Sequence, residues 1–294
     1  MDGNGHQGGV TQSFDFSYPT TVHFGEGALE RLLPAELAKV GKTVMLAYGG
    51  GSIKRNGVYD AVMGLLAKAG KDVVEFAGIM PNPTYAKVQE GAKLAREKGV
   101  DFILAVGGGS VIDCVKIVSV QAETDRDVWK MELSDHEFST EGIPMGAVVT
   151  VFGTGAEMNN GAVITNEAAK RKNGMAGSFH SFAVLDPAYT LSAPMKQALS
   201  GAFDMLSHSM ETHFGTPHDG NLSDLIAEAN MRCIIDNTRK MIAAPAKFVR
   251  FATEVWGIDT AGTGPPSWPR RCRDGDRPGA AATVLAVGVG RSCG

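Results

Sequence analysis

The alternation of apolar and polar positions divides most of this 294-residue chain into short β-type runs and longer helical segments. Most runs are followed by a stretch with apolar residues at helical spacing, such as Val58, Val62 and Leu66. Strands and helices that alternate in this way predict an α/β fold with a mostly parallel sheet covered by helices. The predicted strands are the apolar runs 43–48, 72–76, 102–106, 146–151 and 181–185.

The strand signals stop after Pro194, and two helical segments follow at 195–214 and 220–242. Each segment carries an apolar stripe at helical spacing, which predicts a helical second domain. The expected division of the chain is a disordered leader at 1–13, an α/β domain at 14–194, a helical domain at 195–262 and an atypical tail at 263–294.

The tail differs in composition from the rest of the chain. Residues 263–294 hold four of the 13 prolines and five arginines, but neither lysine nor histidine. No helical periodicity is visible there, so we expect this segment to be disordered or loosely packed. A genuine linker-like tail is the alternative.

Charge and cysteine content exclude several classes of function. The formal net charge is -4, so no basic excess points to nucleic acid or to an anionic membrane surface. The four cysteines lie far apart, which indicates neither a disulfide framework nor a zinc knuckle. The sequence has no apolar signal core and no apolar run of membrane-spanning length. We therefore expect a soluble cytoplasmic protein without membrane or nucleic-acid partners.

Two glycine turns follow predicted strands in matched sequence contexts. Residues 43–54 read TVMLAYGGGSIK and residues 101–112 read DFILAVGGGSVI, a strand, a glycine turn and a helix start in each. Glycine lets a ligand approach the backbone closely, and the free N–H groups of a helix start suit a phosphate. One such turn has a purely geometric explanation, but two matched turns favour a nucleotide site. The candidate residues are Gly50, Gly51, Ser52, Gly107, Gly108, Gly109 and Ser110.

A third glycine turn follows the strand predicted at 146–151. The segment 148–161 reads VVTVFGTGAEMNNG, in which Thr150 and Thr154 are candidates to donate hydrogen bonds to ribose or phosphate oxygens. Lys172 is a candidate cation for an additional phosphate. The alternatives are an ordinary glycine turn and a lysine that is merely solvated.

The first helix of the predicted helical domain carries a candidate metal pair. Asp204 and His208 are separated by one helical turn, so both side chains leave the same face. A carboxylate and an imidazole at this spacing can chelate a divalent ion. A surface pair without a metal is the alternative.

Taken in order, these segments resemble the iron-containing (group III) alcohol dehydrogenases, and within them the butanol dehydrogenase branch. The resemblance runs from about Phe16 to about Met241. The family fold is an N-terminal dinucleotide-binding α/β domain followed by an all-helical domain, with the sites in the cleft between them. The matching segments are YPTTVHFGEGAL (18–29), YGGGSIKRNG (48–57), MPNPT (80–84), GGGSVIDCVK (107–116, with Asp113), TVFGTGAEMNNGAVITNE (150–167), FAVLDPAYT (182–190) and the D-x-x-x-H of 204–208.

The resemblance implies hydride transfer between NAD(P)H and an alcohol/aldehyde pair, with a divalent metal that polarises the substrate oxygen. We expect the metal to be iron, and zinc is the alternative. By the resemblance, the second glycine turn holds the pyrophosphate, Thr150 and Thr154 line the nicotinamide side, and Asp204 and His208 are metal ligands. The first glycine turn lacks an acidic residue that would bind an adenosine 2′-hydroxyl, and Ser52 and Lys172 are expected nearby. We therefore expect the protein to bind NADP(H) in preference to NAD(H).

The C-terminal third departs from the family pattern. Family members complete the metal site with two further histidines on later helices, but here no histidine follows His218. The segment 244–262 resembles one that lies well downstream of those histidines, so a deletion near 242–246 and an altered C-terminus after Gly262 are predicted. An authentic shortened variant is the alternative. The missing helices should uncover apolar surface on 195–242, which favours aggregation or pairing into a homo-oligomer.

Three functions remain open on the sequence alone. The first is the alcohol dehydrogenase activity with a truncated, all-helical second domain. The second is a catalytically inactive nucleotide-binding remnant, because two of four metal ligands bind an ion weakly. The third is a non-redox relative that shares the GGGSxxDxxK turn, such as a dehydroquinate synthase. The segment 150–167 and the absence of a phosphate-binding basic cluster argue against that relative.

Overall fold

The computed structural model describes residues 19–214 and 222–243, in which strands and helices alternate. The predicted leader, His218, residues 244–246 of the predicted deletion region and the whole predicted tail lie outside these residues. The strands are β1 Thr21–Phe24, β2 Thr43–Tyr48, β3 Asp72–Phe76, β4 Phe102–Gly107, β5 Met145–Val149, β6 Gly161–Asn166, β7 Arg171–Ala176 and β8 Phe182–Leu185. The helices are α1 Ala28–Leu37, α2 Ser52–Arg55, α3 Val58–Lys68, α4 Tyr85–Lys98, α5 Gly109–Ala122, α6 Val128–Leu133, α7 Pro187–Thr190, α8 Met195–His213 and α9 Leu222–Ala243.

Six strands form one parallel sheet in the order β1-β8-β5-β4-β2-β3. The apolar runs predicted from the sequence form β2, β3, β4, β5 and β8. Every residue of β4, β5 and β8 is buried, because helices cover both faces of the sheet. The α/β fold class is therefore confirmed, with the parallel sheet first and the helices α8 and α9 after it.

Three strands were not predicted from the sequence. The edge strand β1 is only partly buried and pairs with β8 alone. Strands β6 and β7 form a separate antiparallel pair that contains Asn166, Arg171 and Lys172. None of these segments is a continuous apolar run, so pairing with a neighbouring strand rather than burial of both faces defines them.

Two apolar layers enclose the sheet. One layer lies on the side of α4 and α5, and it includes Val88, Val115 and Ile103. The other lies on the side of α1 and α3, where the rings of Phe102 and Phe182 stack with centroids 5.9 Å apart. Because the sheet is held from both sides, the turns at its carboxyl edge are attached to a rigid base.

Capping residues define both ends of helix α4. The Thr84 hydroxyl accepts a hydrogen bond from the Lys87 backbone N–H at 3.2 Å and so caps the first turn of the helix. Gly99 ends the helix with φ 58°, a left-handed conformation that glycine adopts without strain.

None of the helices in the described ranges combines the length and the apolar character needed to cross a bilayer.

Candidate functional site

A cleft opens where the chain changes direction across the sheet. From β2 the chain runs to β3 on one side, then returns to β4 on the other side of β2. Parallel α/β proteins bind ligands outside the carboxyl ends of strands at such a switch point. The two matched glycine turns follow β2 and β4, so the topology places them side by side at this edge.

The cleft has a volume of about 720 Å³, a size that accommodates a large organic ligand. Its walls are the glycine turns after β2 and β4, the turn after β5, and one face of α8. Of the predicted site residues, those that line it are Gly50, Ser52, Gly107, Gly108, Gly109, Ser110, Thr150, Thr154 and Asp204.

The turn after β4 presents the start of α5 to the cleft. Gly108 precedes this helix and provides no side-chain cap, so the first backbone N–H groups have no side-chain acceptor from this position. A Cβ atom at Gly109 would lie 2.5 Å from the Thr154 hydroxyl oxygen, so only glycine permits the observed approach of the two turns. The free N–H groups and the helix dipole make this end suitable for a phosphate.

The turn after β2 leaves room for a ligand. A Cβ atom at Gly50 would meet no protein atom within 4 Å, so a side chain there would project into open space. Gly51 has φ 93° and precedes the short helix α2, whose Ser52 lines the cleft. Gly50 is therefore not required by internal packing, unlike Gly109.

Thr150 joins the turn after β5 to the turn after β4. Its backbone N–H donates a hydrogen bond to the Gly107 carbonyl oxygen at 3.0 Å, and the residue is buried. Thr150 and Thr154 thus lie at the same wall of the cleft as the start of α5.

Three predicted cofactor residues lie outside the cleft lining. Gly51 turns the backbone at the start of α2. The Asp113 carboxylate accepts a hydrogen bond from the Val163 backbone N–H at 3.0 Å and so attaches α5 to β6. Burial raises the pKa of the Asp113 carboxyl, and the Lys116 charge partly offsets that rise. The Lys172 ammonium donates a hydrogen bond to the Asn82 side-chain oxygen at 2.6 Å.

Asp204 and His208 lie on α8, with the His208 Nε2 atom 4.0 Å from the Asp204 Oδ1 atom. Asp204 lines the cleft and His208 follows one helical turn further on. Both side chains are partly exposed and available to an ion. Among the described residues, no third histidine, cysteine or acidic side chain joins them in a metal-binding group. The described residues therefore offer two donor side chains at chelating spacing without a third.

A contact between two glycines fixes the position of Asp204. A Cβ atom at Gly153 would lie 2.9 Å from the Gly201 Cα atom and 3.7 Å from the Asp204 Oδ2 atom. A Cβ atom at Gly201 would overlap the Phe152 carbonyl oxygen. The absence of both side chains lets α8 rest directly on the turn after β5.

Several lining residues were missed in the sequence analysis. Ser200 and Ser207 lie on α8 one helical turn before and after the predicted Asp204 and line the cleft with it, and this spacing of four and three residues was a usable signal. Phe152 and Phe203 add apolar surface to the same end, and no pattern in the sequence indicated them.

A parallel α/β sheet with a glycine-lined cleft at its switch point is typical of nucleotide-binding proteins. The family model described as iron-containing alcohol dehydrogenase matches residues 19–187, which is more than half of the chain. The chain belongs to this family.

Named relatives agree with the family assignment. A probable NADH-dependent butanol dehydrogenase of Bacillus subtilis is 42% identical over 233 residues, covering 79% of this chain and 60% of the relative. An NADPH-dependent aldehyde reductase of Escherichia coli is 36% identical over 257 residues, covering 85% of this chain and 64% of the relative. The crystal structure of an NADH-dependent butanol dehydrogenase A from Thermotoga maritima superposes with a TM-score of 0.78 at 35% identity, covering 84% of this chain and 62% of that one. The chain spans about three fifths of the length of such curated relatives.

Proposed function

We propose that the cleft binds NAD(P)H, with the pyrophosphate at the start of α5 beside Gly107–Ser110. The observation that carries the proposal is the uncapped start of α5 facing an open cleft at the switch point of a parallel sheet. The open space at Gly50 supports it, because a turn without internal packing around it leaves room for a ligand. Thr150 and Thr154 would then lie toward the nicotinamide, and Gly51, Asp113 and Lys172 would act from outside the cleft lining.

The reaction proposed is hydride transfer between NAD(P)H and an alcohol/aldehyde pair. The relatives named as butanol dehydrogenases and as an aldehyde reductase support this substrate class. Phe152 and Phe203 supply apolar surface beside Asp204, which suits an alkyl chain next to a polar oxygen. The alcohol or aldehyde would therefore bind at the α8 end of the cleft.

Asp204 and His208 are proposed to hold a divalent ion, iron first and zinc second. Such an ion supplies a positive charge that polarises the substrate oxygen. The carboxylate and imidazole would provide two of its ligands from one helix face. Further ligands would have to come from beyond the described residues or from a second copy of the chain.

The proposed division of the chain is a dinucleotide domain at 14–194 and a truncated helical domain at 195–262.

A nucleotide-binding protein without catalytic activity is the second candidate. It is favoured by the two-ligand set on α8, since no further donor joins Asp204 and His208 in the part of the chain that the structure describes. A chelate of two side chains leaves most of the coordination shell to water, so an ion would be lost easily.

The test combines metal analysis with aldehyde reduction on the purified chain. Its iron and zinc are measured after dialysis, and oxidation of NADH and NADPH is followed with a short aldehyde such as butyraldehyde. The Asp204→Asn variant should lose the ion and about 100-fold or more of the activity while it still binds the nucleotide. Glu211→Gln, an exposed carboxylate on the same helix, is the matched control and should behave as the unmodified chain does.

The outcomes separate the two candidates. A retained ion with aldehyde reduction supports the dehydrogenase. Nucleotide binding with neither ion nor turnover supports the inactive protein. Failure to bind either nucleotide contradicts both candidates.

A further inference from the structure

Four side chains form a polar cluster directly beside the first glycine turn: Tyr48, Lys54, Tyr59 and Glu75, here named the Glu75 cluster. Both tyrosine hydroxyls donate hydrogen bonds to the Glu75 carboxylate, that of Tyr59 at 2.9 Å. The Lys54 ammonium lies 3.6 Å from the same carboxylate and 4.3 Å from the centroid of the Tyr59 ring. Glu75 thus accepts from two hydroxyls and pairs with one cation.

The contacts keep both charges of the cluster in place. The hydrogen bonds from Tyr48 and Tyr59 and the Lys54 charge hold the pKa of the Glu75 carboxyl below its usual value. Contact with Tyr48 and the nearby Glu75 charge hold the pKa of the Lys54 ammonium above its usual value. The carboxylate is therefore ionised at neutral pH, and the lysine charge is engaged by it and by two aromatic rings.

The cluster lies behind the cleft wall formed by the first glycine turn, next to the end of the cleft where we expect the adenosine of a dinucleotide; its own four side chains are not among the lining residues. Tyr48 is the last residue of β2 and directly precedes the glycine turn, while Ser52 and Asn56 of the following segment line the cleft. With the pyrophosphate at the turn after β4, the adenosine ribose extends toward the neighbouring strand β2. An acidic group at this place disfavours a 2′-phosphate, and a free cation favours it.

The glycine-turn motif does not reveal this acidic group, because Glu75 lies within a different strand, β3. Glu75 is distant from the glycine turn along the chain and arrives there only because β3 pairs with β2. Lys172, the cation expected to favour NADP(H), donates one hydrogen bond to the Asn82 side-chain oxygen.

We infer that Glu75 lowers the affinity for NADPH relative to NADH, because its carboxylate repels an adenosine 2′-phosphate and holds Lys54 away from it. This inference rests on the proposed binding of NAD(P)H. The effect of the Glu75 carboxylate opposes the preference for NADP(H) that the glycine turn alone indicates. Removal of the carboxylate should release the Lys54 ammonium, which then becomes a partner for the 2′-phosphate.

The experiment is a fluorescence titration of NADH and of NADPH against the purified full chain and four variants. In Glu75→Gln the ratio of NADPH affinity to NADH affinity should rise about three- to tenfold. Added salt should reduce this gain, since the new attraction is between charges near the surface. In Lys54→Met the ratio should fall or stay unchanged. In the double variant Glu75→Gln, Lys54→Met the ratio should return to within about twofold of the original, because the net charge is restored.

Glu97→Gln is the matched control. Glu97 is a partly exposed carboxylate that pairs with Lys93 at 3.8 Å on α4, so its removal changes the same charge at another place. The ratio should not move in this variant. Circular dichroism of each variant establishes that it is folded before titration.

Each result has one meaning. An unchanged ratio in Glu75→Gln, with both nucleotides bound, overturns the inference and leaves the proposed function intact. A gain that persists in the double variant overturns the role given to Lys54. If the unmodified chain binds neither nucleotide, the proposed function fails and the inference fails with it.

Discussion

Gly50 and Gly109 belong to the two matched turns, but the space around their Cβ positions differs. At Gly109 a side chain would collide with Thr154 of the same protein. At Gly50 no protein atom lies within 4 Å of the Cβ position. The space at Gly50 is therefore available to a ligand, and this difference can be measured.

The Gly50→Ala variant should separate binding from stability. We expect its free energy of unfolding to change by less than about 0.5 kcal/mol, because the methyl group meets no protein atom. The affinity for NADH and NADPH should fall about tenfold if the nucleotide contacts this turn. Fluorescence titration and thermal unfolding measure the two effects, and unchanged affinity would remove Gly50 from the site.

Glu132 is a buried carboxyl whose pKa is shifted by burial and by one backbone hydrogen bond. Its Oε2 atom accepts a hydrogen bond from the Ala176 N–H at 2.8 Å, and its Oε1 atom has no partner among the described groups. Burial raises the pKa of Glu132 from 4.5 to about 7. The raised pKa means that the folded protein binds the proton more tightly than the unfolded chain. The contribution to stability is present below about pH 4.5 and is lost as the pH rises through about 7.

Glu132→Gln should consequently stabilise the protein in a pH-dependent way. At about pH 8 we expect a gain on the order of 2 kcal/mol in the free energy of unfolding, which shrinks toward zero at about pH 5. Denaturant unfolding at the two pH values measures it. Glu97→Gln is the exposed control and should change stability by less than about 0.5 kcal/mol at either pH. A gain of equal size at both pH values would show that ionisation is not its cause.

At the scale of elements, the approach of α8 to the turn after β5 determines where Asp204 lies. Gly201 on α8 and Gly153 in the turn leave no room for a side chain at either position. The helix is thereby held against the sheet domain by backbone contact rather than by apolar side chains alone. Such a contact cannot adjust by a change of rotamer.

The Gly201→Ala variant should displace α8. Its Cβ atom would overlap the Phe152 carbonyl oxygen, so we expect a loss of about 1–3 kcal/mol in the free energy of unfolding. Gly64→Ala on the exposed side of α3 meets nothing within 4 Å and should instead stabilise by about 0.5–1 kcal/mol. Denaturant unfolding compares the two variants. Equal effects would mean that the close contact at Gly201 does not constrain α8.

Most of the strands that the sequence predicted have both faces covered, and the partly exposed edge strand β3 is the exception. Strands β2, β4 and β5 are continuous apolar runs, and their glycine turns follow from the same pattern. The polar pair β6 and β7 was not predictable by this criterion, because its stability comes from cross-strand pairing. Side-chain contacts were not predictable either: in the structure the Asp113 carboxylate accepts a hydrogen bond from the Val163 backbone N–H, and the Lys172 ammonium donates one to Asn82.

At the scale of the whole molecule, the cleft joins two parts that differ in completeness. The proposed nucleotide side is lined by the turns that follow strands of the parallel sheet. The proposed metal side has Asp204 and His208 as its donors, and the chain spans only about three fifths of the length of its relatives. Exposed apolar side chains on α8 and α9, such as Phe203 and Leu225, agree with the expectation of uncovered apolar surface. Nucleotide binding should therefore not depend on the metal.

The most direct measurement is a fluorescence titration of NADH and NADPH against the purified chain after its metal has been removed with a chelator. We predict saturable binding of at least one nucleotide, with a dissociation constant in the micromolar range and one site per chain. Absence of saturable binding for both nucleotides up to millimolar concentration would contradict the claim that this cleft is a dinucleotide site.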